Sequence, residues 1–484
     1  MLQKKFFMDL HGCAKNQVDA EILIGIMENL SWQNTSNPDE ADLIIVNSCG
    51  FINSAKEESI NAVLQAKTAH PNAKILLAGC LAERYADVLK NDLPEADAIF
   101  GNGNLSLLPE IIDALFPKKP LCEKSLLMPI EKRPVMPLSR LLISPQIGIC
   151  GGARPKILNF PRSVYIKITE GCDNFCSFCA IPIIRGRLRS RPIKDICDEI
   201  KAFLEKGFYE FNLIGQDLAA YQTGKDDIQE LQDNERSGLS LLLKSISQIE
   251  GNFKIRLLYI HPDHFPLDIL PIMTADSRFL PYFDIPFQSG SEKIIKAMNR
   301  KGSAEVYLDT VKNIRSAFEK AKSPYGEPQI RTTFLVGFPG ETDEDLNQTV
   351  AFLRKLRPLW SGGFTYSREE DTPSYSFKGR VEKKTAEARL AAIQDVQSSI
   401  TEKKLDSFIG KEIEVLVEEL IPAEDKILLA LGRAWFQAPE VDGAVVLSFL
   451  LDQKDTDGNR IAPGSIVKAK VSARNGFDLE AAAL

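Results

Sequence analysis

Glu170-Gly171-Cys172-Asp173-Asn174-Phe175-Cys176-Ser177-Phe178-Cys179 places three cysteines in eight residues, spaced C-x3-C-x2-C. A tetrahedral zinc site takes four ligands, usually as two separated pairs. This run has three close thiols and no neighbouring histidine. Three thiolates suit an iron–sulfur cube whose remaining iron stays open. The bland alternative is three buried thiols clustered by chance.

Around that run the sequence alternates strand and helix. Candidate strands are 164–169, 209–214, 255–260, 282–287, 331–336 and 363–367, separated by helical patterns such as Asp195–Glu205 and Thr342–Lys355. Eight such units close a full barrel, so six predict an open, partial one. Chemistry in these folds sits at the carboxyl ends of strands. There lie the three cysteines, Gly215-Gln216-Asp217, His261, Gln288-Ser289, Gly337-Phe338-Pro339-Gly340-Glu341 and Arg368. Singly, each polar residue could be a helix cap or a turn. Together they describe a polar rim. Arg185, Arg187, Arg189 and Arg191 form a basic run that is either a solvated face or an anion-binding one.

Upstream, residues 1 to about 115 read as βαβ units. Strands over 5–10, 42–47 and 73–78 end at Gly12-Cys13, Ser48-Cys49-Gly50 and Gly79-Cys80. In an open parallel sheet those ends share one edge, where ligands bind. One cysteine after a strand is usually a small buried side chain. Three at equivalent positions predict a second metal site. Ser54 with Glu57 predicts a capping box on the helix after Cys49.

Composition bounds the rest. The chain has 484 residues, net charge −7, nine cysteines and four histidines. No secretory signal or run of roughly 20 apolar residues is evident, so no membrane span is expected. The cysteines are then expected to be reduced thiols or metal ligands in a cytoplasmic protein. Residues 117–161 are proline-rich and read as a linker. Cys122 and Cys150, inside it, and Cys197, on a helix, read as ordinary thiols. Gly101-Asn102-Gly103 is too short for a dinucleotide loop, and no Walker A sequence is present. After the charged helix ending near Lys404, five short strands predict a small barrel. Acids outnumber bases thirteen to eight from Lys411 onward. Glu418-Glu419 and Glu424-Asp425 would repel RNA and attract a basic protein.

The cysteine run resembles that of radical S-adenosylmethionine (SAM) enzymes, whose open iron chelates SAM and cleaves it to a 5′-deoxyadenosyl radical. Gly12-Cys13-Ala14-Lys15-Asn16, Asn47-Ser48-Cys49-Gly50-Phe51-Ile52 and Gly79-Cys80-Leu81-Ala82-Glu83-Arg84-Tyr85 resemble the amino-terminal domain of methylthiotransferases. The resemblance implies two 4Fe–4S clusters, one on Cys172, Cys176 and Cys179 and an auxiliary one on Cys13, Cys49 and Cys80. It also implies SAM contacts from Phe178, Gly215, Gln216, Gly337, Gly340 and Arg368, and an anion-binding use of the arginine run toward SAM or a polypeptide. The carboxyl-terminal barrel resembles the TRAM domain. The implied fold is α/β: an open parallel sheet domain (1–116), a linker (117–160), a partial (β/α)6 radical SAM barrel (161–400) and a TRAM-like β-barrel (401–484).

Gly215-Gln216-Asp217, Tyr282-Phe283-Asp284-Ile285-Pro286, Gly432-Arg433 and Ala438-Pro439-Glu440-Val441-Asp442-Gly443 resemble the RimO-type branch. That branch methylthiolates the β-carbon of an aspartate in small-subunit ribosomal protein twelve. Gln288-Ser289-Gly290-Ser291 instead resembles the branch acting on N6-isopentenyladenosine in tRNA. That tRNA activity and a noncatalytic iron–sulfur redox sensor or scaffold are the alternatives. The resemblance further implies a monomer served by an electron donor such as flavodoxin or ferredoxin.

Overall fold

A computed structural model describes residues 3–117, 154–158, 160–224, 236–422 and 427–484. Most of the proline-rich segment, with Cys122 and Cys150, lies outside the described residues, as do Glu424 and Asp425.

The amino-terminal sheet is parallel and five-stranded, ordered Gln33–Asn34, Lys5–Leu10, Leu43–Ser48, Lys74–Gly79, Ala98–Gly101. The chain reverses winding direction between Lys5–Leu10 and Leu43–Ser48, and such a switch point opens a crevice beyond the strand ends. Cys13 and Cys49 follow the two strands that flank it, and Cys80 follows the next. The two edge strands escape a sequence reading because Gln33–Asn34 and Ala98–Gly101 are only two and four residues long. The Ser54–Glu57 capping box is not formed. The helix starts at Asn53, one residue before Ser54, with Ile52 as its cap and no side-chain hydrogen bond.

Six parallel strands make the central sheet in chain order: Ser163–Lys167, Glu210–Ile214, Lys254–Leu257, Phe279–Asp284, Gln329–Val336 and Trp360–Thr365. The first and last do not pair, so the barrel is open, as six units predict. Thr342 and Asp345 cap the helix Asp343–Leu356 with a reciprocal pair of hydrogen bonds. A short antiparallel pair, Thr169–Glu170 with Arg189–Ser190, closes the base of the cysteine loop.

After helix Lys383–Asp406 comes a closed five-stranded barrel: Glu412–Ile421, Ile427–Arg433, Val445–Leu450, Ile466–Asn475 and Asp478–Ala483. Its 434–442 loop docks into the open central barrel. Trp435 and Phe436 offer carbonyls to Arg256 (2.7 Å) and to Trp360 Nε1 (2.7 Å). Asp442 accepts from the Tyr282 hydroxyl (2.6 Å) and pairs with Arg331 (3.3 Å). One apolar cluster runs from Phe6 and Trp32 through Ile214 and Tyr282 to Phe436 and Leu447, joining all three parts. Each such aromatic or aliphatic side chain contributes about 1.5–3 kcal/mol on burial.

This docking corrects the expectation at Glu418, which is not a free acid on a protein-attracting barrel face. The Glu418 side chain is mostly covered and accepts from Arg433, which also pairs with Glu210 (2.6 Å), itself paired with Arg256 (2.8 Å). Glu412 and Glu414 lie opposite Lys470 and Lys468 across the ladder. Glu419 alone of the adjacent acid pair is exposed.

Among the described residues no helix is long and apolar enough to cross a membrane.

Candidate functional site

The C-x3-C-x2-C loop turns on Gly171, which has φ +76°. A Cβ there would meet the Arg187 carbonyl oxygen at 2.1 Å, so only glycine fits. The Cys172 amide donates to Gly186 O (3.2 Å) and the Cys179 amide to Cys176 O (3.0 Å). Asn174 bonds Asp217 (2.7 Å), and Asn299 bonds the Phe175 carbonyl (2.9 Å). Burial pushes the Cys172 thiol up to about 12, helped by Asp217 and Cys176. Burial, then Cys176 and Cys172, likewise push Cys179 up. Two buried thiols whose ionisation is suppressed in this way need a strongly positive partner to become thiolates, which iron supplies. Behind them, His261 Nε2 lies 3.8 Å from Cys176 Sγ and its ring stacks on His264, which bonds Asp217 (2.7 Å). Burial and Arg300 hold His261 at about 3, so its imidazole is neutral.

Cys13, Cys49 and Cys80 meet at the crevice of the amino-terminal sheet. Gly12 and Gly50 make room: Cβ atoms there would lie 3.2 Å from Cys49 Cβ and 2.7 Å from Cys80 O. Asn16 ties the loops by donating to His11 O (3.0 Å) and Ser48 O (2.8 Å). The site is asymmetric. Burial pushes Cys80 up to about 12 and also raises Cys49. At Cys13 low-polarity surroundings oppose ionisation, but Lys15 and Arg185 outweigh them and hold the thiol below its ordinary value. Cys80 Sγ has two N–H donors, Asn102 Nδ2 and Arg185 Nη2, each at 3.3 Å. Among the described residues each triad therefore offers three sulfurs and no fourth cysteine, the donor set of a cube with one iron free.

One buried network joins the triads. Arg185 reaches Cys80, Asn16 (2.7 Å) and Asp19 (3.0 Å) on one side and Glu170 (2.8 Å) on the other. Lys167 pairs with the same two acids, Asp19 (2.6 Å) and Glu170 (2.7 Å). Two cations and two carboxylates leave no net charge. Glu170 resists protonation, because Arg185 and Lys167 outweigh its burial. Arg185 and Arg191 are thus neither a solvated face nor free anion ligands. Arg191 is buried against Glu199 (2.6 Å). Arg187 pairs with Asp173, while Arg189 donates to Arg185 O (3.2 Å).

The other expected residues fall into two groups. Gln216 donates to Glu170 (3.0 Å), beside the cysteine loop, while its side-chain oxygen and the Thr169 hydroxyl lack partners among the described residues. Gly215 keeps close contact there, since a Cβ would sit 2.0 Å from Thr169 Oγ1. Phe178 packs on the cluster containing Leu335 and Phe338, next to Gly337. The Gly337 amide donates to Glu341 (2.6 Å). Farther out, Gly340 bonds Gly379 O (2.7 Å), and Arg368 stacks on Tyr375 and donates to its carbonyl (2.9 Å). Cys197 is buried in the helix Ile193–Glu205, as an ordinary thiol would be. Sequence reasoning missed Lys15, Asn102 and Tyr259. The first two lie in glycine-flanked words after strands, which was the available signal.

Family models match three stretches: "Uncharacterized protein family UPF0004" at 5–101, "Radical SAM superfamily" at 166–353 and "TRAM domain" at 409–484. The chain is 82% identical over 479 residues to the "Ribosomal protein uS12 methylthiotransferase RimO" of Treponema denticola, covering 99% of this chain and 100% of that one. It is 38% identical to the protein of the same name from Aquifex aeolicus, covering 97% and 94%. The solved radical SAM methyltransferase TsrM of Kitasatospora setae, with cobalamin and a 4Fe–4S cluster bound, shares the fold. Its TM-score is 0.52 at 13% identity, over 77% of this chain and 74% of that one. With matching domains in order and near end-to-end identity, the chain belongs to the RimO family of radical SAM methylthiotransferases.

Proposed function

We propose that this protein methylthiolates the β-carbon of an aspartate in ribosomal protein uS12, using SAM and two 4Fe–4S clusters. The observation that carries the reading is the pairing of two cysteine triads across the Cys80–Arg185–Glu170 bridge. Cys172, Cys176 and Cys179 would hold the cluster that binds SAM, and Cys13, Cys49 and Cys80 the auxiliary one. Phe178, Gly215, Gln216 and Gly337 surround the first loop and are the SAM contacts this reading favours, with Gly340 and Arg368 at its periphery. Loaded, the site would supply the radical chemistry that an unactivated carbon–hydrogen bond requires, and the sulfur. The chain's own residues do the rest. Gly171 shapes the loop, the neutral His261 packs beside Cys176, and the Arg185 network fixes one triad relative to the other. The domain division at about residues 116, 160 and 400 follows the same reading.

The test offers uS12 and an isopentenyladenosine-containing tRNA to the anaerobically reconstituted protein and weighs both products. A methylthio mass increment on uS12 is expected. Transfer to the tRNA alone would overturn the assignment. Absence of 5′-deoxyadenosine in the reduced protein with SAM would favour a noncatalytic iron–sulfur protein.

A further inference from the structure

Lys15 is a buried cation with no carboxylate of its own. It is 9% exposed, and its Nζ sits 3.3 Å from the centre of the Tyr259 ring. Its Nζ makes no hydrogen bond or ion pair among the described residues. Every other buried lysine or arginine there donates to a carboxylate or a backbone carbonyl, from Lys167 on Asp19 and Glu170 to Arg300 on Pro286 O. Burying an unpaired ammonium is costly, and an aromatic face offsets only part of that cost. The neighbouring carboxylates are already taken. Asp284 is held by Arg331 (3.2 Å) and the Tyr259 amide (3.2 Å), and Glu170 by Lys167 and Arg185.

Its position says which substrate group it would meet. Lys15 lies two residues after Cys13. Tyr259, beneath it, is two residues before His261, which touches Cys176 (3.8 Å). The ammonium therefore lies on a ring whose chain leads to one cysteine site, while its own helix starts at the other. The carboxylate of an aspartate is one bond from its β-carbon. A cation fixed beside Cys13 that held this carboxylate would set the β-carbon next to that site and within reach of the other.

We propose that Lys15 binds the carboxylate of the target aspartate and acts as a positioning and specificity-determining residue. This rests on the uS12 reading above. The measurement is the Kd of a synthetic peptide spanning the uS12 target loop, with aspartate or the isosteric, uncharged asparagine at the target. Titrations by fluorescence anisotropy use the full reconstituted chain. A charge-assisted hydrogen bond predicts that the wild-type protein prefers the aspartate peptide by about 10- to 100-fold. Lys15→Met should abolish the preference by weakening only the aspartate peptide, and Lys15→Arg should retain part of it. Equal affinity of the wild-type protein for both peptides would overturn the proposal without any variant. So would equal losses for both peptides in Lys15→Met, which would mark Lys15 as merely structural. Methylthiolation of tRNA and not of uS12 by the wild-type protein would overturn the underlying reading and the proposal with it. Methylthiolated uS12 without aspartate preference would overturn Lys15 alone.

Discussion

Two adjacent glutamates on one strand should respond to the same charge reversal by very different amounts. Glu418 is 9% exposed and accepts from Arg433 Nε, whose side chain is 4% exposed. Arg433 also grips Glu210 at 2.6 and 3.2 Å, and Glu210 holds Arg256 at 2.8 Å. The four charges sum to zero. Glu418→Lys makes the group three cations around one carboxylate, where water cannot screen them. Removing one partner from a buried pair costs about 3–5 kcal/mol, and reversing it costs at least that. Glu419 is exposed, and surface changes are usually within about 0.5 kcal/mol. The same change in net charge therefore predicts an apparent Tm lowered by roughly 6–20 °C for Glu418→Lys and by about 2 °C or less for Glu419→Lys. Circular dichroism melts of the apoprotein measure this. Hydrogen exchange should show residues 434–442 released from the central barrel only in Glu418→Lys. Equal Tm values for the two variants would refute the buried assignment, and with it the view that this network docks the terminal barrel.

Anaerobic reconstitution should yield about eight irons per chain, and replacing either cysteine triad by alanine about four; iron analysis showing four in the intact chain would count against two clusters. Arg185→Gln should lower the reduction potential of the amino-terminal site, because Cys80 loses a positively charged N–H donor. Spectroelectrochemistry reads that shift, and an unchanged potential would remove Arg185 from the sulfur's environment. The Glu210 carboxyl is held below its ordinary 4.5, since Arg433 and Arg256 outweigh its burial. Its contribution is present above about pH 4.5 and lost as pH falls through the folded value. Glu210→Gln should therefore be less stable at neutral pH and show a flatter acid limb in melts. Burial raises Glu418, which opposes this in the same window, so the variant rather than the wild-type curve isolates Glu210.

The cysteines were legible because a cluster demands one rare residue type, either at fixed local spacing or at the ends of strands whose apolar runs mark them. Nothing comparable announces Arg185. Its partner Asp19 is 166 residues away, and a buried ion pair leaves no periodic trace in either segment. Read locally, the arginine run is a charge run. Only the fold turns two of its members inward. Glu418 and Glu419 show a subtler failure. Strand alternation should assign one inward and one outward, but a bulge between Val417 and Glu419 breaks the period where the choice is made. Ser54 and Glu57 had the right types and spacing for a capping box, yet the helix begins at Asn53. Lys15 sat inside a word quoted for its cysteine. Its meaning depends on Tyr259, which belongs to another domain.

The perimeter of the amino-terminal domain bears on how such a site could turn over. Asp19 pairs with Lys167 and Arg185, and Glu21 pairs with Arg154 at 2.8 Å and accepts from the Leu158 amide at 3.0 Å. Across the cysteine crevice, Lys56 and Arg84 converge on Glu369 at 2.9 and 2.7 Å. These ties lie on both sides of the crevice, and most of their members are buried. Swinging the domain would separate several buried pairs at once, each leaving uncompensated charge. A moving amino-terminal domain that carries sulfur toward the second site is therefore disfavoured. On the reading proposed above, the two triads form one rigid frame, and the substrate's target residue has to reach both. A rigid frame places its demand for accuracy on whatever holds the substrate's reacting residue, because no later closure can correct a misplaced carbon. That demand falls on groups near the triads that the frame itself does not use, and the Lys15 ammonium on Tyr259 is one of them.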